Sequence, residues 1–89
     1  MHAVIYDVEM KKDWEGDADA ELDFVVNMSK ETPGFVRGIW LTDGASGLSI
    51  QLFDSEETAR GVAANASMPP DASVTLRSAD VYEVLREAP

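Results

Sequence analysis

The sequence predicts an α+β domain with the element order strand, helix, strand, strand, helix, strand, the ferredoxin-like βαββαβ arrangement. One stretch sets the pattern: Thr32 to Glu57, TPGFVRGIWLTDGASGLSIQLFDSEE, reads as a helix stop, two strands joined by a turn, and a helix start. The segments on either side of it repeat the same grammar, a strand and a helix before it and a helix and a strand after it. With 89 residues the chain is expected to form a single domain over 1–89.

Ala3 to Met10 is the first strand, with Val4, Tyr6 and Val8 on one face and Ala3 and Ile5 on the other. Both faces begin apolar, so both need cover. Lys11 to Gly16 reads as a loop, and Asp17 as the N-cap of a helix whose acidic first half (Asp19, Glu21, Asp23) suits the positive end of the helix dipole. Ala18, Leu22, Val25, Val26 and Ser29 fall at helical spacing and predict the buried stripe, which Phe24 and Met28 widen. Thr32 precedes Pro33-Gly34, which ends the helix near Glu31.

Phe35 to Thr42 is the second strand. Strict alternation places Phe35, Arg37, Ile39 and Leu41 on one face and Val36, Gly38 and Trp40 on the other. Asp43-Gly44 opens a turn that Gly47 closes, and Leu48 to Phe53 is the third strand, with Leu48, Ile50 and Leu52 opposite Ser49, Gln51 and Phe53. The short connection makes these strands an antiparallel hairpin. Asp54 or Ser55 caps the second helix, with Glu57 placed as in a capping box. Its inward stripe, Ala59, Val62, Ala63 and Ala66, consists of small residues, and Gly61 weakens the helix by about 1 kcal/mol relative to Ala. Ser67 to Asp71 is a loop, Val74 to Leu76 a short extended piece, and Val81 to Arg86 the last strand.

Right-handed crossovers put both helices on one face of a four-stranded antiparallel sheet. The other face keeps large apolar side chains, and a chain this small buries only about 60% of its unfolded surface. Cysteine is absent, so no disulfide or thiolate metal site supplies further stability. A second copy laid sheet to sheet is the simplest cover, so a homodimer is expected. Seven Lys+Arg against seventeen Asp+Glu give a net charge of -10, which disfavours nucleic acid and anionic membrane surfaces as partners. No apolar run is long enough to span a bilayer, and MHAVIYDVEM has no basic n-region or cleavage-site pattern, so a cytoplasmic location is expected.

Two short motifs carry a resemblance: Pro33-Gly34-Phe35 after the first helix, and Phe53-Asp54-Ser55-Glu56-Glu57 leading into the second. In these the chain resembles the dimeric α/β-barrel proteins of the antibiotic-biosynthesis-monooxygenase type, where a PGF-like step starts strand two and an aromatic followed by an acidic-Ser run leaves strand three. The resemblance implies the dimeric α/β barrel. The superfamily hosts monooxygenases, haem-degrading enzymes, isomerases and decarboxylases, so it does not by itself imply a reaction. Its haem-degrading branch uses an Asn on strand one, a Trp at the end of strand three and an iron-ligating His on helix two. Here those places hold Tyr6 or Asp7, Phe53, and no His. Haem degradation is therefore not expected, and no cofactor or metal is.

The remaining chemistry is sparse. His2, the sole histidine, stands at the chain start, and a Ser-His-Asp or Cys-His arrangement is not available. Asp13, Glu15, Asp17, Asp19 and Glu21 alternate as in a calcium loop, but Ala18 replaces the required Gly and Phe24 the bidentate Glu. Aromatic residues ordinarily serve core and interface. The resemblance adds a second use for them, since cofactor-independent monooxygenases of the family oxidise aromatic polyketides in pockets lined by Trp, Tyr and Asn. The candidates to line a pocket under the second helix are Tyr6, Trp40, Gln51 and Phe53, with Arg37 as a possible anion holder. The expectation is a protein that binds a small apolar or aromatic molecule. The alternative is a cofactor-independent monooxygenase or isomerase acting on an aromatic, polyketide-like substrate. No residue set commits to a reaction.

Overall fold

The computed structural model describes all 89 residues. The elements are β1 (His2–Met10), α1 (Ala18–Glu31), β2 (Phe35–Thr42), β3 (Ser46–Phe53), α2 (Glu56–Ala64) and β4 (Val74–Glu83). The sheet order is β2-β3-β1-β4 with every neighbouring pair antiparallel, the ferredoxin-like fold that the element order implies. No helix is long and apolar enough to cross a membrane.

Local chemistry explains the boundaries. The Asp17 side chain accepts from Ala20 N, and Ser55 caps α2 by accepting from Thr58 N. Of the two possible caps on α2, then, Ser55 serves. In the β2–β3 turn Asp43 Oδ1 accepts from the amides of Ala45 and Ser46, and Gly44 takes the positive φ (96°) that the turn requires. Gly47, expected in the loop, is instead inside β3, paired with Val8 and Thr42. A Cβ there would meet the Val8 side chain at 3.0 Å, so glycine serves close strand packing. The expected short piece Val74–Leu76 and the expected strand Val81–Arg86 are one strand, β4, which ends at Glu83. It runs unbroken because β1 pairs along its whole length, with Arg77 absorbed as a bulge between Leu76 and Ser78.

A second bulge corrects the face assignment of β2. Phe35 pairs with Phe53 and Arg37 with Leu52, so Val36 is the extra residue. Phe35 therefore lies on the helix side with Gly38 and Trp40, not with Arg37, Ile39 and Leu41. The core sits on that side: Val4, Phe53 and Ala59 are fully buried, with Tyr6, Phe35, Val62, Ala63, Ala79 and Val81 packed around them. Ala59 lets α2 approach β1, β3 and β4 closely.

The first helix departs from expectation. The backbone of α1 comes close only to that of β2, and the two helix backbones do not approach each other. Of its predicted stripe only Ser29 is buried; Val25 and Val26 are half-buried, Ala18 and Leu22 are exposed, and Phe24 and Met28 point outward at 64% and 55% exposure. Helical periodicity marks which residues share a face, but burial requires a neighbour within reach, and α1 stands off the inner strands.

The opposite sheet face has no helix. Ile39, Leu41 and Leu48 are close to half exposed on it. Its two ends are different. At one end Arg77 pairs with Asp7 at 2.6 Å and Glu9 at 3.8 Å and donates to Ser46 Oγ. At the other, the segment after β4 returns towards β2: Val84 N donates to Met1 O and Arg37 pairs with Glu87. Ala3 and Leu52, in the same row as Arg37, are buried there.

Candidate functional site

Strand register brings the sequence candidates to one face. Trp40 pairs with Ser49, and Ser49 with Tyr6, so these three form a row across β2, β3 and β1. The next row is Gly38, Gln51 and Val4, and Phe53 lies one pair further on. Directly paired residues point the same way, so Tyr6, Trp40, Gln51 and Phe53 all face the helix side. Arg37 does not; it lies on the open face and pairs with Glu87.

These four residues have different surroundings. Phe53 is fully buried and belongs to the core. Gln51 is buried and donates through Nε2 to Ser49 Oγ at 3.1 Å, which fixes its amide in the floor. Trp40 is half-buried, and its ring folds over Gly38, where a Cβ would come within 2.8 Å of it. Tyr6 is half-buried against the core, and burial pushes its phenol above the ordinary value of 10.0. The Trp14 indole N–H donates to Asp71 O, but neither the Trp40 indole N–H nor the Tyr6 hydroxyl has a partner within the chain.

α2 sits over β1, β3 and β4 while α1 lies along β2, and the two helices do not approach each other. The Trp40–Ser49–Tyr6 row and Gln51 lie on the sheet face that the helices flank. Ser49 is a polar floor residue absent from the sequence candidates; its place follows from pairing between Tyr6 and Trp40, which a single strand's pattern does not reveal. The small-residue stripe of α2 suggested a closed pocket beneath that helix. On the β4 side the space is an open groove of about 330 Å³ lined by Arg60, Ala63, Ala64, Ala79, Asp80 and Val81, of which Ala63 belongs to the expected stripe and none to the expected lining Tyr6, Trp40, Gln51 and Phe53. Close docking of Ala59 on Val4 and Phe53 leaves the small residues little room to enclose. A further groove of about 320 Å³ lies at Lys11, Met68, Pro70 and Leu76. No group of three or more His, Cys, Asp or Glu side chains is arranged to hold a metal ion. His2 faces the helix side in the Phe53 row, with its Nδ1 buried and unpaired.

No protein-family profile matches the chain, and no curated protein sequence matches it. Among solved structures, the chain is similar to a mutant of MhuD crystallised with two manganese protoporphyrin IX molecules bound per active site. That match has a TM-score of 0.63 and 20% identity and covers 100% of this chain and 99% of that one. At this identity the likeness is one of fold, and it extends from end to end: the chain is a ferredoxin-like domain.

Proposed function

We propose that this protein binds a small apolar or aromatic molecule over the Trp40–Ser49–Tyr6 row, in a trough that opens between α1 and α2, and that it does so as a homodimer closed by its open sheet face. The observation that carries the binding reading is the Trp40–Ser49–Tyr6 row. It offers an apolar floor with an indole N–H and a phenolic O–H that no group in the chain satisfies, which is the composition of a small-molecule site. Both are donors, so a planar ligand carrying an acceptor oxygen suits them best. MhuD, with porphyrins in its active site, provides a fold-level parallel for a planar occupant.

Haem itself does not fit the residues present. α2 carries no His, and burial keeps the Tyr6 phenol protonated, which opposes its use as an iron ligand. His2 lies four residues before Tyr6 along β1, about 13 Å away. Titration with hemin should give no sharp one-to-one Soret transition, and a clean transition would reverse this conclusion.

The test of the binding reading is a titration with N-phenyl-1-naphthylamine, a neutral aromatic fluorophore, followed by probe emission. Wild-type protein should bind it saturably, and Trp40→Ala should weaken binding about tenfold or more, the loss expected when one stacked aromatic is removed from a pocket. Equal affinity in both would overturn the assignment.

A second reading, a cofactor-independent monooxygenase or isomerase on an aromatic substrate, rests on Tyr6 alone. A neutral, half-buried phenol in the same cross-strand row as Trp40 is a group that holds a substrate oxygen and its proton. Turnover abolished in Tyr6→Phe with binding retained would favour it; turnover unchanged would end it.

A further inference from the structure

We propose that α1 is the gate of the trough and that the contact between Glu21 and Ser73 is its latch. The inference rests on the binding reading above and adds how a ligand gains access. α1 reaches the sheet only at β2, and at its C-terminal end it is tied by the tight turn in which Phe35 N donates to Thr32 O. Its inward side chains Val25 and Val26 are only half-buried and Leu22 is exposed at 44%, so the apolar seam beneath the helix is thin.

At its N-terminal end the fastening is polar. The Glu21 carboxylate accepts from Ser73 N at 3.0 Å and from Ser73 Oγ. Glu21 is the one α1 side chain that bonds the segment before β4. The preceding loop adds two further ties to that segment: Trp14 Nε1 donates to Asp71 O at 2.8 Å, and Lys11 Nζ donates to Pro70 O. The receiving segment is itself stiff. It contains Pro69-Pro70, turns through the Ala72 N to Pro69 O bond, and buries Ala72. The contact is part-buried and charge-assisted, so it holds the helix while closed, and water can re-solvate both groups when it opens. The helix is thus fixed at one end, clasped at the other by a carboxylate, and forms one wall of the proposed trough.

The experiment compares wild type with Glu21→Ala, Glu21→Gln and Ser73→Ala by amide hydrogen exchange and by stopped-flow binding of N-phenyl-1-naphthylamine. In Glu21→Ala the α1 amides should exchange about tenfold faster or more, as expected for losing two bonds to a charged group, while α2 amides stay at wild-type rates. Ser73→Ala and Glu21→Gln, each keeping one of the bonds, should fall between. Probe association and dissociation should both accelerate, leaving affinity little changed. Unchanged α1 exchange in Glu21→Ala, or equal acceleration in α1 and α2, would overturn the latch. If wild type binds no probe, the ligand reading falls, and the exchange data alone decide the latch.

Discussion

The rings of Phe35 and Phe53 meet edge to face, with centroids 6.0 Å apart and planes at 77°. Beside them Asp54 N donates to Gly34 O at 2.9 Å. The two short motifs, Pro33-Gly34-Phe35 and Phe53-Asp54-Ser55, are thus one structural unit that ties the start of β2 to the entrance of α2. Phe53 has no exposed surface, so Phe53→Ala should destabilise the fold by about 3–5 kcal/mol. Phe35, half-buried, should lose less. A double-mutant cycle read by urea denaturation should give a coupling of about 0.5–1.5 kcal/mol. Additive losses would show that the ring contact contributes nothing beyond burial.

Two glycines should respond in opposite directions to alanine. Gly34 has φ 86°, and a Cβ there would stand 2.8 Å from Asp54 Oδ1; Gly34→Ala should cost about 1–3 kcal/mol. Gly61 lies on the exposed side of α2 with nothing within 4 Å of a Cβ. Gly61→Ala should therefore stabilise by about 0.5–1 kcal/mol through helix propensity. Thermal melts of both variants check the pair, and a stabilised Gly34→Ala would contradict the turn geometry.

The contrast between these glycines shows what the sequence makes legible. Pro33-Gly34 marks a stop, Asp17 a cap and Asp43-Gly44 a turn, because each acts through its own backbone and near neighbours. Strict alternation misplaces Phe35 because a bulge at Val36 inverts the parity of everything before it, and bulges depend on the partner strand. The stripe on α1 reads as core because periodicity cannot see that the helix backbone stands away from β1 and β3. In the candidate site, Tyr6, Trp40 and Gln51 could be listed from residue type, but their common face needed the register of three strands, as did the addition of Ser49.

Gly38 should govern the Trp40 ring. A side chain at Gly38 would overlap the indole at 2.8 Å, so Gly38→Ala must move the ring off its present seat. In a Trp14→Phe background, where Trp40 is the only indole, Gly38→Ala should red-shift the emission and weaken probe binding. An unshifted spectrum would mean that the ring does not lie over Gly38 in solution.

Stability should respond to pH at both extremes. The Tyr6 phenol is held above its ordinary value by burial. The folded state therefore keeps a proton that the unfolded chain releases above about pH 10. Its stabilising share is complete below that pH and is lost as pH rises through the folded value. Tyr6→Phe should flatten the alkaline limb. On the acid side, the bonds from Ser46 and Ala45 amides hold Asp43 below its ordinary range, and Arg60 does the same for Glu56. Their share is present above about pH 4 and is lost as pH falls through the folded values. Asp43→Asn should weaken that acid dependence. Denaturation midpoints against pH decide both limbs, and profiles identical to wild type would contradict them.

The open sheet face supplies the last prediction. Ile39 stands 49% exposed on it, between Leu41 and Arg37 on the same side of β2. Within one chain a charge at Ile39 would be solvated and should leave the fold intact. In a homodimer packed sheet to sheet, about 10 Å apart, the same charge would be buried against its own symmetry mate without a partner. Ile39→Glu should therefore sediment as a monomer while keeping the wild-type far-ultraviolet circular dichroism. Wild type at micromolar concentration should sediment at about twice the 9.7 kDa chain mass. A dimeric Ile39→Glu would place the interface elsewhere, and a monomeric wild type would remove the sheet-face dimer. Glu87→Ala separates the segment after β4 from that question. It breaks an exposed ion pair whose side chains are 60% and 36% accessible, so within one chain it should change stability by less than about 1 kcal/mol. A shift in the dimer constant without a shift in the melting temperature would show that this segment borders the interface.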